Sequence, residues 1–401
     1  MKKSITDLMT EINERFDDFL VFEEKAFAKA GKKTAKQIAI ENSVQKDSKR
    51  ELLNIEESAN KRREQEVHKK EVIKAKIERE FHESVEAELQ TRLDDIEDVI
   101  ETTLNIDVGI GKLLDILYTD ACTISRLVTQ IEEMPWLKKR LIRFTHQPKY
   151  QRTDSSGSAI IIKSVRQALS FIGIDSLRIL IPVLIAKHTL PRRSESFPHF
   201  NKHLWLYILG SGNAAKCLAP RLGLRADFGF IAGLLSTMGI TAVFSIYLKV
   251  FDTKQREAII KCRESNSPQK AEILNQLTYS PDYLAEYMRQ YSPSVTADVI
   301  SEFNMKWIMI APGLNDLSKV KRETFKQVVK KEYHPVAQLL FKSRAFMKFK
   351  LLQSSRIISK QEAMLWLHNC GITGDDIAIL SLINLTSITF EVAEEIVSEE
   401  S

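Results

Sequence analysis

Apolar positions along this chain recur at helical spacing, and no long alternating pattern of the kind a strand needs appears. Ile5, Leu8, Met9, Ile12, Phe16, Phe19 and Leu20 fall on one face of a first helix. Ser4 and Asp7 open it as a capping box, and Gly31 is placed to stop it. Residues 32–104 contain neither Pro nor Gly and are dense in charge, the composition of a long exposed helix or coiled coil. Wholly helical, that stretch would extend about 110 Å at ~1.5 Å per residue.

The pattern inside this arm is uneven. Val85, Leu89, Leu93, Ile96, Ile100 and Leu104 are spaced 4-4-3-4-4, closer to an 11-residue repeat than to a heptad, which predicts a nearly straight seam. Toward the N-terminus the seam fades into scattered Val44, Leu52, Leu53, Ile55 and Val67. Charge divides with it: residues 32–74 are basic, whereas residues 78–101 hold ten acids and two bases. Two readings follow, a helix packed on its own globular body or a stalk for a partner or a second copy. The stalk reading implies that removing residues 1–104 leaves the remainder folded.

From Ile106 the composition turns globular. Apolar helices are predicted through Ile110–Leu117, Ile124–Ile131, Trp136–Phe144, Val165–Ile172, Ser176–Ala186, Leu204–Leu218 and Phe228–Val250. The uncharged run 228–248 is about the ~20 residues that span a bilayer. Gly229, Gly233 and Gly239 within it predict broken, buried helices and no membrane span. The resulting fold class is all-α, in four parts: an amphipathic helix over 1–30, the arm over 32–104, a helical domain over 105–315 and a helical extension over 316–401.

Five stretches of the central part, in order, resemble the HDOD domain, a degenerate branch of the HD superfamily found in bacterial signalling proteins. They are Met134-Pro135-Trp136-Leu137; LIRFTHQPKY at Leu141–Tyr150; IKSVRQALSFIG at Ile162–Gly173; Leu204-Trp205; and GLLSTMG at Gly233–Gly239. The resemblance covers roughly residues 107–310 and implies a helical HD-like scaffold. In catalytic members of the superfamily, spaced His and Asp residues hold a divalent metal that activates water against a phosphoester. Here the corresponding positions hold Tyr207, Ser236 and Thr237, and a later His pair falls at Phe303-Asn304. Neutral hydroxyls are poor ligands for divalent metals. The resemblance therefore implies no catalytic residues, no metal ligands and no cofactor. A relict pocket at Tyr207, Ser236 and Thr237 would hydrogen-bond a ligand; alternatively these groups satisfy one another or helix carbonyls.

Other chemistry is thinly represented. No GxxxxGK[ST], GxGxxG or GxSxG motif occurs, and the four Cys are dispersed as in a reduced, cytoplasmic protein. His199 and His203 are four apart but lack a matched acid. The net charge of +5 argues against a dedicated nucleic-acid binder but leaves room for a local basic patch. Residues 319–350 hold ten Lys or Arg against Glu323 and Glu332. Lys321, Arg322, Lys326, Lys330 and Lys331 form the candidate patch for an acidic or phosphate-bearing partner. Ser359–Ile383 has the outline of a helix-turn-helix, but its second helix opens on Asp375 and Asp376 and carries no base, which excludes DNA reading there. The function expected is a non-catalytic signalling or regulatory module. Its protein partners, or further copies of the chain, bind through the N-terminal arm. The alternative is a sensor of a nucleotide or cyclic dinucleotide, at the relict pocket or the basic C-terminal face.

Overall fold

A computed structural model of the protein describes residues 5–31, 54–148, 150, 161–320 and 324–387, the side chains of 54–67 excepted. The described residues are all-α, with no strand among them. The centre is built from α9 (Phe200–Leu218), α10 (Ala226–Leu235), α11 (Met238–Glu264), α13 (Pro281–Glu302) and α16 (Pro335–Ser354). α9 packs on α10 and α16, and α11 on α13.

Small residues set the spacing of this centre. Gly233 of α10 lies so close to Gly212 of α9 that a Cβ on it would stand 2.6 Å from the Gly212 Cα. A Cβ at Gly239, in the first turn of α11, would stand 2.1 Å from the carbonyl oxygen of Ser292 in α13. Glycine is the residue that allows backbones to approach this closely. The run 226–264 is long and apolar enough to cross a membrane, but 89% of its apolar window is buried inside the fold and Ser236-Thr237 interrupts it.

Smaller helices precede the centre: α4 (Ile110–Tyr118), α5 (Ile124–Glu132), α6 (Pro135–Thr145), α7 (Val165–Ile172) and α8 (Ile174–His188). Their boundaries have local causes. Pro135 sits in the first turn of α6, where its missing N–H costs nothing. Ser164 caps α7 and forms a reciprocal capping box with Gln167. Gly173, at φ +79°, bends the chain by 113° between α7 and α8.

The N-terminal helices are part of this body. α1 (Ile5–Val21) buries Met9, Ile12, Phe16, Phe19 and Leu20, and packs on α9, α13 and α17 (Lys360–Asn369). α2 (Glu23–Lys29) folds back on it, with Lys25 and Lys29 both paired to the buried Asp18. The long α3 (Asn54–Asp94) divides at Ile77. Ile77, Phe81, Val85, Leu89 and Leu93 are buried, and α3 packs on α11, on α12 (Pro268–Gln276) and on α13. Residues 68–76 are all exposed, Val72 and Ile73 included. A break at Asp95 and a π turn over Val99–Thr103 then bury Ile100 and Leu104. The line drawn at residue 104 is thus no break in packing. Removing 1–104 would strip apolar cover from α11 and α13, so the expectation that the remainder stays folded does not carry over.

The C-terminal part completes the cover with α14 (Ala311–Lys319), α15 (Phe325–Lys330), α16, α17 and α18 (Gly374–Ser381). The turn between α17 and α18 uses Gly371 at φ +71°.

Two outcomes follow for the seam of α3. Leu89→Ala should cost about 2–5 kcal/mol, measured by urea unfolding. His82, buried and stacked on Tyr283 at 3.7 Å, is held neutral by desolvation, which lowers its pKa to about 4. An unfolded His, near 6.5, takes up a proton first as pH falls. Stability should therefore be lost between pH 6.5 and about 4, by up to about 3 kcal/mol. His82→Gln should flatten that part of the pH–stability curve.

Candidate functional site

The sequence-selected positions Tyr207, Ser236 and Thr237 lie in the centre of the fold, where α9 meets the break between α10 and α11. All three are buried. Ser236 Oγ donates to the Gly233 carbonyl at 2.8 Å and Thr237 Oγ1 to the Leu234 carbonyl at 3.4 Å. Both hydroxyls thus close the C-terminal end of α10 by satisfying helix carbonyls. The break is held from the other side as well. Thr296 Oγ1 accepts the Gly239 N–H at 3.0 Å and donates to the Ser292 carbonyl at 2.7 Å.

Tyr207 is enclosed by two residues that the sequence pattern did not connect with it. Phe16 of α1 lies 4.7 Å from its ring, and Arg344 of α16 donates through Nε to its hydroxyl oxygen at 3.0 Å. Beside them, Lys348 donates to Asn13 at 2.6 Å and lies over the Phe16 ring. Arg15 pairs with Glu362 at 2.6 Å. Burial would raise the Glu362 carboxyl, but the hydrogen bond from Arg15 and those from Ser359 hold it down at about 2. The N-terminal helix, α16 and α17 are therefore locked across this region by charge-assisted bonds.

His203 and His199 gain no ligand role. His203 stacks on Phe19 at 4.2 Å, and its Nδ1 lies 3.1 Å from the Phe19 carbonyl oxygen. Among the described residues no group of three His, Cys, Asp or Glu could hold a metal ion. The donor set at the centre does not fit a divalent cation either. Two hydroxyl protons are committed to carbonyls, and the phenol oxygen faces a guanidinium that would repel the ion.

The basic C-terminal stretch is redistributed. Lys321 and Arg322 lie outside the described residues. Lys326, Lys330 and Lys331 are exposed on and beside α15, with Lys331 over the Tyr333 ring. The bases of α16 are turned to internal partners: Arg344 to Tyr207, Lys348 to Asn13, and Lys342 to Asp376 at 2.7 Å. Asp376 also pairs with Arg221 at 3.2 Å and completes the capping box of α18 with Thr373. The acids that open α18 are thus structural. Two surface cavities, of about 420 and 480 Å³, are lined by neither Tyr207, Ser236 nor Thr237. The first lies beside Arg178, Lys216 and Arg225, and the second along α6.

Residues 109–276 match the family model of the HDOD domain. This region is an HDOD domain. It belongs to the HD superfamily and spans α4 to α12. Two solved structures from Shewanella amazonensis SB2B are similar to the chain. A "Putative phosphohydrolase" is 15% identical, with a TM-score of 0.41, covering 73% of this chain and 92% of that one. A "Putative metal-dependent phosphohydrolase" is 13% identical, with a TM-score of 0.38, covering 74% and 94%. No curated protein matches. The HDOD domain includes the α10–α11 break but not Phe16 or Arg344, the two residues that close over Tyr207.

Gly239→Ala should test the tightness of this centre. Its Cβ would press on the Ser292 backbone, and the expected loss is about 2–3 kcal/mol, read as a lower urea midpoint.

Proposed function

We propose that the protein is a non-catalytic regulatory module that works through protein contacts, with the exposed part of α3 as the contact arm. The observation that carries the non-catalytic reading is the Arg344–Tyr207 hydrogen bond of 3.0 Å. It sets a cation where the hydrolytic members of the superfamily need a metal ligand. Ser236 and Thr237, with their hydroxyls turned to carbonyls, have nothing with which to activate water.

The arm supports the second half of the reading. From Asn54 to Lys76 the helix precedes its buried seam, a length of about 35 Å at ~1.5 Å per residue. Val72 and Ile73 stand 55% and 54% exposed on it, among charged neighbours. A helix this polar gains little from burial on its own body, and adjacent exposed apolar residues suit a helical partner or a second copy. A sensor of nucleotides in the relict pocket is the weaker reading, because a ligand there would have to displace Phe16 and Arg344.

Two measurements test the proposal. Metal content by plasma emission, on protein purified without chelator, should fall well below one divalent ion per chain, and no phosphodiester should turn over with added Mn²⁺ or Mg²⁺. Stoichiometric metal with turnover would sink the non-catalytic reading. Val72→Glu with Ile73→Glu should abolish association, seen as a change in light-scattering mass or loss of a captured partner, with the melting temperature unchanged. Association that survives this double variant would remove the arm from the proposal.

A further inference from the structure

Among the described residues, a concentration of exposed positive charge lies away from the stretch 319–350. Residues 135–193 hold twelve Lys or Arg, two Asp and no Glu, in a chain whose whole net charge is +5. This segment is α6, α7 and α8 with their connections. α6 alone carries Lys138, Lys139, Arg140 and Arg143 and no acid.

Three contacts join these bases into a stripe. At the start of α6, Trp136 stacks on His188 at the end of α8, with ring centroids 4.0 Å apart, and Arg140 lies over the same indole. This brings Lys187, Arg192 and Arg193 to one end of α6. At its other end, the Nε2 of His146 lies 2.9 Å from the Ile162 carbonyl oxygen, which brings the segment carrying Lys163 to the C-terminal end of α6. Arg166, one turn along, bonds the Ser125 hydroxyl. The stripe is therefore longer than α6 itself, which measures about 16 Å. A surface groove of about 480 Å³ follows α6 past Pro135, Lys138, Lys139 and Ile142, and Glu132, the ion-pair partner of Lys138, lines it as well.

Little of this charge is compensated. Among the described residues, Lys138 pairs with Glu132 and Arg178 with Asp175. Lys139, Arg143, Lys163, Lys187, Arg192 and Arg193 are exposed and make no ion pair. Arg140 is half-buried without an anion; burial first, and then Arg143, lowers its pKa. The bases of α16, by contrast, already have their partners inside the fold.

We propose that this stripe binds a nucleic-acid strand through its phosphate backbone. The choice over an acidic protein rests on what the stripe lacks. A protein interface depends on buried aromatic or aliphatic anchors inside a polar rim. Across residues 135–193 Ile161 is the one strongly exposed large apolar side chain among those described. A phosphate backbone needs only cations at intervals, and it releases counterions when they bind. Recognition would be independent of sequence. Trp136 is already stacked on His188 with Arg140 over its ring, and Trp205 has Lys187 over its ring, so neither is an unpartnered aromatic platform for a base.

The test is fluorescence anisotropy of the full chain with a labelled oligouridylate of about 20 nucleotides. Affinity should fall steeply between about 50 and 200 mM salt, with a log–log slope of about −2 to −4. Lys139→Gln, Arg143→Gln and Lys163→Gln together should weaken binding at least about tenfold and reduce that slope by about 2. These side chains are exposed, so the melting temperature should not move. Lys326→Gln with Lys330→Gln should leave the affinity as it was. No binding at low salt, or a triple variant that binds like the native chain, would overturn the proposal. A polyglutamate peptide binding as tightly as the oligonucleotide would overturn the choice of partner and assign the stripe to acidic proteins.

Discussion

Backbone contact between helices at glycine is the constraint on which the molecule turns. Gly233 meets Gly212 where α10 crosses α9, and Gly239 meets Ser292 where α11 crosses α13. Between these two crossings the chain breaks at Ser236 and Thr237. The break is possible because their hydroxyls, with Thr296 on the far side, satisfy the backbone groups that an interrupted helix leaves open. Any larger residue at either crossing separates the helices and uncovers those groups together. GLLSTMG is therefore a packing element whose polar members serve the backbone.

The closure above this centre is electrostatic. Arg344, Lys348, Arg15 and Lys342 each cross from one element to another and end on a hydroxyl, an amide or a carboxylate. Partly buried, such bonds are stronger than their surface counterparts and more costly to leave half-made. They fasten the N-terminal and C-terminal helices onto the HDOD domain across Tyr207. The described residues thus present an HD scaffold with its centre filled by neighbours from outside the domain.

Charge is sorted by tertiary position. Two stretches of similar basicity in the sequence meet different ends. Lys342, Arg344 and Lys348 of α16 end on partners supplied by α18, α9 and α1, while Lys139 and Arg143 of α6, and Lys163, Lys187, Arg192 and Arg193, stay in solvent. The acids of α3 divide likewise: Glu88 pairs with Lys254 at 3.2 Å, whereas Glu83 and Asp94 remain exposed. Composition by itself cannot separate a charge that latches from a charge that is free to bind.

Much of the architecture was legible in the chain. Helical periodicity located the helices from Ile110 onward, because a buried face repeats at 3.6 residues whatever it packs against. In the structure, Ser164 with Gln167, Pro135, Gly173 and Gly371 set their ends through local backbone chemistry. The five ordered stretches identified the HDOD domain. What the sequence left open was every question of partnership. The seam of α3 reads the same whether it faces a second chain or its own α11. Phe16 and Arg344 are separated from Tyr207 by 191 and 137 residues and carry no local signal of their contact with it. The free stripe on α6 appears only once α7 and α8 bring their bases beside it. Periodicity and capping act within a few residues of one another, so a sequence displays them directly. Which faces meet, and which charges remain without a counter-ion, is decided by contacts between distant segments, and only the tertiary structure supplies those.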